Sequence, residues 1–225
     1  MATQAERREK TRAAIVKAAR RIFGERGFAA ATMDDIASGA RVAKGAVYHH
    51  FATKEAVFEA VFEQVSMDLV ADLDRISRAE NDPLAAMAAG TQGYFAACSK
   101  GPTGQIILRD GPAVLGWERW REIDAKHFGG KFPRALTAAM DAGVIAKQPV
   151  EPLARLLLGA VTEAAVAVSA GPDIGKTGTD YARAFRSLLD ALRVKSPNSL
   201  PASSRRRAGP IYTGVGCCCA RGPQR

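Results

Sequence analysis

Thr32-Met33-Asp34-Asp35-Ile36-Ala37, followed by Ala40-Arg41-Val42-Ala43-Lys44-Gly45-Ala46-Val47-Tyr48-His49-His50-Phe51, is the stretch whose reading decides the fold. Thr32 has a hydroxyl able to cap a helix, and Asp35 sits three positions on, where its carboxylate can return the bond. A short helix therefore opens here and runs through Ser38. Gly39 to Val42 reads as a turn, a second short helix spans about Ala43 to His49, and Phe51 closes the unit. Two short helices joined by a tight turn are what major-groove reading requires, one resting on the backbone while the other enters the groove.

Both flanks supply the bracing helices such a unit needs. Upstream, Ile15, Ala18, Ala19, Ile22 and Phe23 recur at helical spacing, predicting a helix from about Arg8 to Arg26 that ends at Gly27. Its other face carries Arg12, Lys17, Arg20 and Arg21. Downstream, Val57, Val61, Phe62, Val65, Leu69 and Ile76 predict one long helix from Thr53 to about Arg78. The chain's net charge of +9 is unevenly placed: residues 1–54 carry +6, residues 55–194 carry −3 and residues 195–225 carry +6. A basic head on a mildly acidic body suits one end to a polyanion, although composition alone does not choose nucleic acid over an anionic membrane.

Together with Lys54-Glu55, the motif resembles the DNA-binding segment of the TetR family of transcriptional regulators, with a dozen positions agreeing in order over about the first 60 residues. The resemblance implies a dimer that binds a pseudo-palindromic double-stranded DNA operator, and repression rather than activation. It implies that Lys44 donates to guanine edges or phosphate, that Gly45 lets the backbone approach DNA, and that Tyr48 donates its hydroxyl to a phosphate. His49 would sit in or beside the groove, Thr32 would cap a helix facing a phosphate, and Lys54 would reach the DNA backbone. Two positions depart from the family pattern. Arg41 stands where glycine is usual in the turn, at a steric cost if φ is positive, and a phosphate contact would offset it. Ala43 stands where a capping serine or threonine is common.

The remainder reads as helices over 84–99, 105–109 and 117–143, the last weakened at Gly129-Gly130, then from Pro149-Pro152 onward and from Thr179 to Leu192. No stretch alternates apolar and polar residues for long enough to argue a strand, so the class is all-α with about nine helices. Three regions follow: a helix-turn-helix domain over 1–52, a helical effector-binding and dimerisation domain over 53–194, and a disordered basic tail over 195–225. By the family resemblance, the middle region encloses a small-molecule cavity, drawn from Met87, Tyr94, Phe95, Cys98, Leu108, Trp117, Trp120 and Met140, for a small apolar or aromatic effector. A plain hydrophobic core would use many of the same residues. Arg109 and Asp110 suit either ligand orientation or a surface ion pair.

Leu153, Leu157, Ala160 and Ala164 on one late helix, and Tyr181, Phe185, Leu188 and Leu189 on the next, predict a four-helix interface with a second copy. The N-terminus is polar and no apolar run approaches 18 residues, so the expectation is a soluble cytoplasmic protein with no membrane partner. Cys98 stands alone and Cys217, Cys218 and Cys219 are adjacent, which is neither metal spacing nor a disulfide framework. His49-His50 point about 100° apart without further ligands nearby, so no metal and no cofactor are expected. The rival readings are a helical enzyme or binding protein without DNA, which lacks a nucleophile with its base, and a charge-driven nonspecific DNA binder.

Overall fold

A computed structural model describes residues 3–99 and 101–194, and the tail beyond lies outside the described residues. Residues 1–194 form one compact unit. Among the described residues the secondary structure is helical apart from one isolated bridge between Ile145 and Arg193. The helices are α1 (Gln4–Ala30), α2 (Met33–Ala40), α3 (Lys44–His50), α4 (Lys54–Arg78), α5 (Pro83–Cys98), α6 (Gly101–Gly104), a π-helical turn (Gln105–Asp110), α7 (Gly111–Leu115), α8 (Trp117–Phe128), α9 (Lys131–Asp141), α10 (Val150–Ala170) and α11 (Ile174–Ala191).

The expected single helix over 117–143 is two, because the chain breaks at Gly129-Gly130. The last helix starts earlier than expected, at Ile174, where the Asp173 carboxylate accepts from the Lys176 N–H at 2.9 Å. α1 continues past Gly27 only as a kinked turn, Gly27 having φ 76°.

α4 is the axis of the molecule. Val57, Phe58, Val61, Phe62, Val65, Leu69 and Leu73 bury one face of it, the three- and four-residue spacing keeping them in one stripe along its 25 residues. Its first turns pack against Ile15, Ala19, Phe23 and Val47 of the three N-terminal helices, and its later turns against α5 and α8, so one apolar core runs from the helix-turn-helix into the body. Phe58 meets Phe23 and Phe28 edge-on, with ring centroids 5.3 Å away from each. Emptying that site with alanine would cost about 3–5 kcal/mol.

A second core joins α5, α9, α10 and α11 through Leu84, Leu136, Leu157, Phe185 and Leu189. Arg193 closes it with two bonds to Asp82, at 2.8 and 2.9 Å, holding that carboxyl down at about 2. α10 is long and apolar enough to span a bilayer by length and composition, although Glu151, Arg155 and Glu163 interrupt its apolar run. Here Ala154, Leu157, Ala164, Ala165 and Val168 pack it into the bundle.

Candidate nucleic-acid interface and ligand cavity

The capping box at Thr32 is formed in full. The Thr32 hydroxyl accepts from the Asp35 N–H at 3.1 Å, while Asp35 Oδ2 accepts from the Thr32 N–H at 3.1 Å and from its hydroxyl at 2.7 Å. Those bonds from Thr32 hold the Asp35 carboxyl below its ordinary value. At the other end of α2, Arg41 has φ 58° and ψ 42°, making it the only non-glycine residue with positive φ among those described. It closes the helix in Schellman fashion, the Val42 N–H reaching the Ala37 carbonyl at 3.0 Å. The turn therefore does need the left-handed conformation that glycine adopts without strain. Ala43 provides no side-chain cap to α3.

On α3, Val47 is fully buried and pins the helix to the core, leaving Lys44, Gly45, Tyr48 and His49 exposed. Lys44 and Tyr48 are one turn apart and share a face. Tyr48 is 47% exposed, a large aromatic presented to solvent. A side chain at Gly45 would meet nothing, so backbone there is open to close approach. Lys44 Nζ lies 2.9 Å from Asp34 Oδ1, and that bond pushes the lysine pKa up. Asp34 thus stands in the free protein where an anion would compete for Lys44. Burial, then His49, Arg8 and Arg12, lower the His50 pKa, so its ring is neutral at pH 7.

Lys54 requires a correction. Its ammonium donates to the Phe28 and Ala31 carbonyls, both at 2.9 Å, and sits 4.2 Å from the centre of the Phe28 ring. It ties the end of α1 to the start of α4 instead of reaching outward. Asp110 has a similar part. Its carboxylate accepts from the Phe28 N–H at 2.8 Å and from Gln105 Nε2 at 3.0 Å, so it braces the same corner and neither orients a ligand nor pairs at the surface.

A cavity of about 460 Å³ opens between α4, α5, α8, α9 and α10. Of the residues proposed from sequence, Met87, Tyr94 and Trp120 line it. Phe95, Cys98 and Leu108 are packed into the core beside it, Phe95 closing on Gly178 of α11. Met140 belongs to the second core. Trp117 faces solvent, 47% exposed, stacked on Trp120 at 5.2 Å with Arg121 over its ring. Residues three apart on a helix share a side only loosely, and here the wall of the bundle falls between them.

The cavity also takes in Leu73, Asp74, Ser77 and Arg78 from α4, and Asp124 from α8. Sequence reasoning passed over Asp124, although its position one turn after Trp120 was a usable signal. Burial pushes the Asp124 carboxyl up to about 6, against the pull of Arg121 and His127. Burial also raises the Tyr94 hydroxyl well above its ordinary range and the Cys98 thiol to about 12, so Cys98 is an inert core residue. The opposite side of α8 is tied to α4: Arg119 Nε bonds Glu59 at 2.9 Å, while Lys126 Nζ and His127 Nε2 reach Glu63 at 2.9 and 2.6 Å. Glu63 is held below its ordinary value by the bonds from Lys126 and His127, which outweigh its desolvation.

The proposed interface residues divide in the same way. Leu157, Ala164, Phe185 and Leu189 are buried in their own subunit and Leu153 is partly so, whereas Ala160, Tyr181 and Leu188 are exposed. Leu156, absent from the sequence prediction, is 73% exposed on the same helix as Ala160.

A capped helix, a tight left-handed turn and an exposed second helix, joined through one long helix to a body with an aromatic cavity, define a helix-turn-helix regulator. The N-terminal segment matches the bacterial regulatory protein family of TetR type over residues 15–61, and the body matches the tetracycline-repressor-like C-terminal domain over 84–192. A TetR-family transcriptional regulator from Pectobacterium atrosepticum is 31% identical, over 86% of this chain and 99% of that one, with a TM-score of 0.76. The regulator UidR of Escherichia coli K12 is 44% identical over 54 residues, 24% of this chain and 28% of UidR. The SmeT–triclosan complex is 25% identical, covering 89% of this chain and 99% of that one, with a TM-score of 0.59. The chain belongs to the TetR family and is a DNA-binding transcriptional regulator.

Proposed function

We propose that the protein is a ligand-responsive repressor, with residues 1–52 as the reading head and 53–194 as the sensing and dimerising body. Lys44, Gly45, Tyr48 and His49 form the surface laid into the major groove, with Thr32 and Arg41 meeting flanking phosphates. A homodimer supplies two such surfaces to a pseudo-palindromic operator, which one short helix cannot select alone. The exposed apolar face of Leu156, Ala160, Tyr181 and Leu188 is the surface that meets the second copy.

The observation that carries the sensing half of this reading is that α4 lines the cavity at Leu73, Asp74, Ser77 and Arg78 and begins at Lys54 beside the reading helix. An occupant in contact with α4 acts on the same rigid helix that positions the head. It shifts DNA affinity only as far as it binds one head spacing better than the other. Triclosan in SmeT, an aromatic compound in a relative of the same fold, supports an aromatic effector here.

The test begins with selection of random DNA by the purified protein. Enrichment of an inverted repeat is the expected result, followed by loss of operator affinity when a cavity ligand is added. Binding that scales only with salt and never with sequence would overturn the reading.

A further inference from the structure

The cavity holds a carboxylate that nothing answers. Asp124 projects from α8 into the cavity wall, and among the described residues it has neither an ion-pair partner nor a hydrogen bond. The two basic side chains acting on it from α8 are engaged elsewhere: His127 is bonded to Glu63 at 2.6 Å, and Arg121 lies over the Trp117 ring at 5.7 Å. From α9, Lys131 is paired with Asp74 of α4. Arg78 and Arg134 are exposed at the rim, where water and salt screen them. Around the carboxylate stand aromatic rings: Tyr94 and Trp120 are nearly inaccessible from outside, and Phe128 meets Tyr94 edge-on at 5.9 Å.

An uncompensated charge in an apolar cavity costs free energy, and a bound counter-charge recovers it. Aromatic faces add attraction for a cation that they do not offer to an anion. Arg78 and Arg134 line the same cavity but are exposed, whereas Asp124 is the more enclosed charge, so the interior sign decides. Resting on the reading of this cavity as the effector site, we infer that the effector is an organic cation, a protonated amine on an aromatic or apolar body, with Asp124 as its counter-charge. The cavity volume falls in the range that encloses drug-sized ligands.

The experiment uses three probes matched in length and ring but differing in head group: 4-phenylbutylamine, 4-phenylbutanol and 4-phenylbutyrate. Binding to the full-length protein is measured by calorimetry at pH 7.5, and operator release is measured in parallel. The amine is expected to bind at least tenfold tighter than the alcohol, with the butyrate weakest. In Asp124→Asn the amine loses at least tenfold while the alcohol changes less than about threefold. The head-group series on the unaltered protein needs no variant, so it stands even if a substitution perturbs folding.

A butyrate or alcohol that binds as tightly as the amine overturns the cation assignment, as does an amine unaffected by Asp124→Asn. If the butyrate or alcohol wins and releases DNA, the effector reading survives and only the cation falls. If the amine wins through Asp124 without altering DNA affinity, the cation site stands and the regulatory reading falls. No binding of any probe at millimolar concentration overturns both.

Discussion

Replacing Asp124 by asparagine should stabilise the protein above pH 6 and leave it nearly unchanged near pH 4. The carboxyl is raised from 3.8 to about 6 by burial in the cavity wall. The folded state therefore keeps a proton that the unfolded chain has already released. That contribution is fully present below about pH 4, is lost as pH rises through about 6, and above that the folded protein carries the whole cost of a desolvated anion. Two pK units correspond to about 3 kcal/mol as a ceiling. Water admitted by the cavity screens part of this, leaving about 1–2 kcal/mol. Asparagine keeps the shape without the charge, so the gap between variant and parent should open between pH 4 and 7. For a domain of this size it should reach roughly 2–8 °C in Tm. Urea denaturation at fixed protein concentration across pH 4.5–8 measures it. Parallel pH profiles, or a less stable asparagine variant at pH 7.5, would refute the claim that Asp124 is held ionised at a cost to the fold.

Arg41→Gly should raise stability by about 0.5–1 kcal/mol in thermal melts, relief of the left-handed strain outweighing glycine's added chain entropy; operator affinity should fall in the same variant if the guanidinium meets phosphate. Lys44→Ala should weaken operator binding by about 1–3 kcal/mol without unfolding the head, while Asp34→Asn, which frees Lys44, should strengthen binding at low salt. Gly45→Ala, by contrast, should stabilise α3 by about 0.5–1 kcal/mol because its Cβ meets nothing, yet reduce DNA affinity; equal affinity would show that the backbone does not approach DNA there. Leu188→Asp should dissociate the dimer into folded monomers in light scattering, whereas Leu189→Asp should unfold the chain, since only the second is buried within its own subunit.

What the sequence makes legible is what short-range physics determines. Thr32 and Asp35 complete their capping box within one helical turn, and the three-residue turn that opens at Arg41 has a local backbone demand, the positive φ that glycine would meet without strain. Both can be read before any tertiary contact is known. Lys54 could not be read in this way, because the carbonyls it caps, at Phe28 and Ala31, are aimed at it only after the chain kinks at Gly27. The apolar stripe of α11 is equally clear in sequence, but periodicity identifies a face and not its neighbour. Phe185 and Leu189 turn out to close on α5 and α9, and Leu188, one position away, is left outside.

The cavity carries the sharpest form of that limit. Helical spacing brings Trp117 and Trp120 to neighbouring positions, yet it says nothing of where the bundle wall passes between them. The same helix bears two kinds of polar residue that look alike in sequence. Arg119, Lys126 and His127 turn toward α4 and find carboxylates, and Asp124 turns inward and finds none. A charge left unanswered inside a well-packed bundle costs the fold free energy, whereas Glu59, Glu63 and Glu122 beside it are answered by Arg119, Lys126 and His127. α8 thus holds the unanswered charge on one side and its ties to α4 on the other. A counter-charge entering the cavity would be registered by the helix that is bonded to the one positioning the reading head.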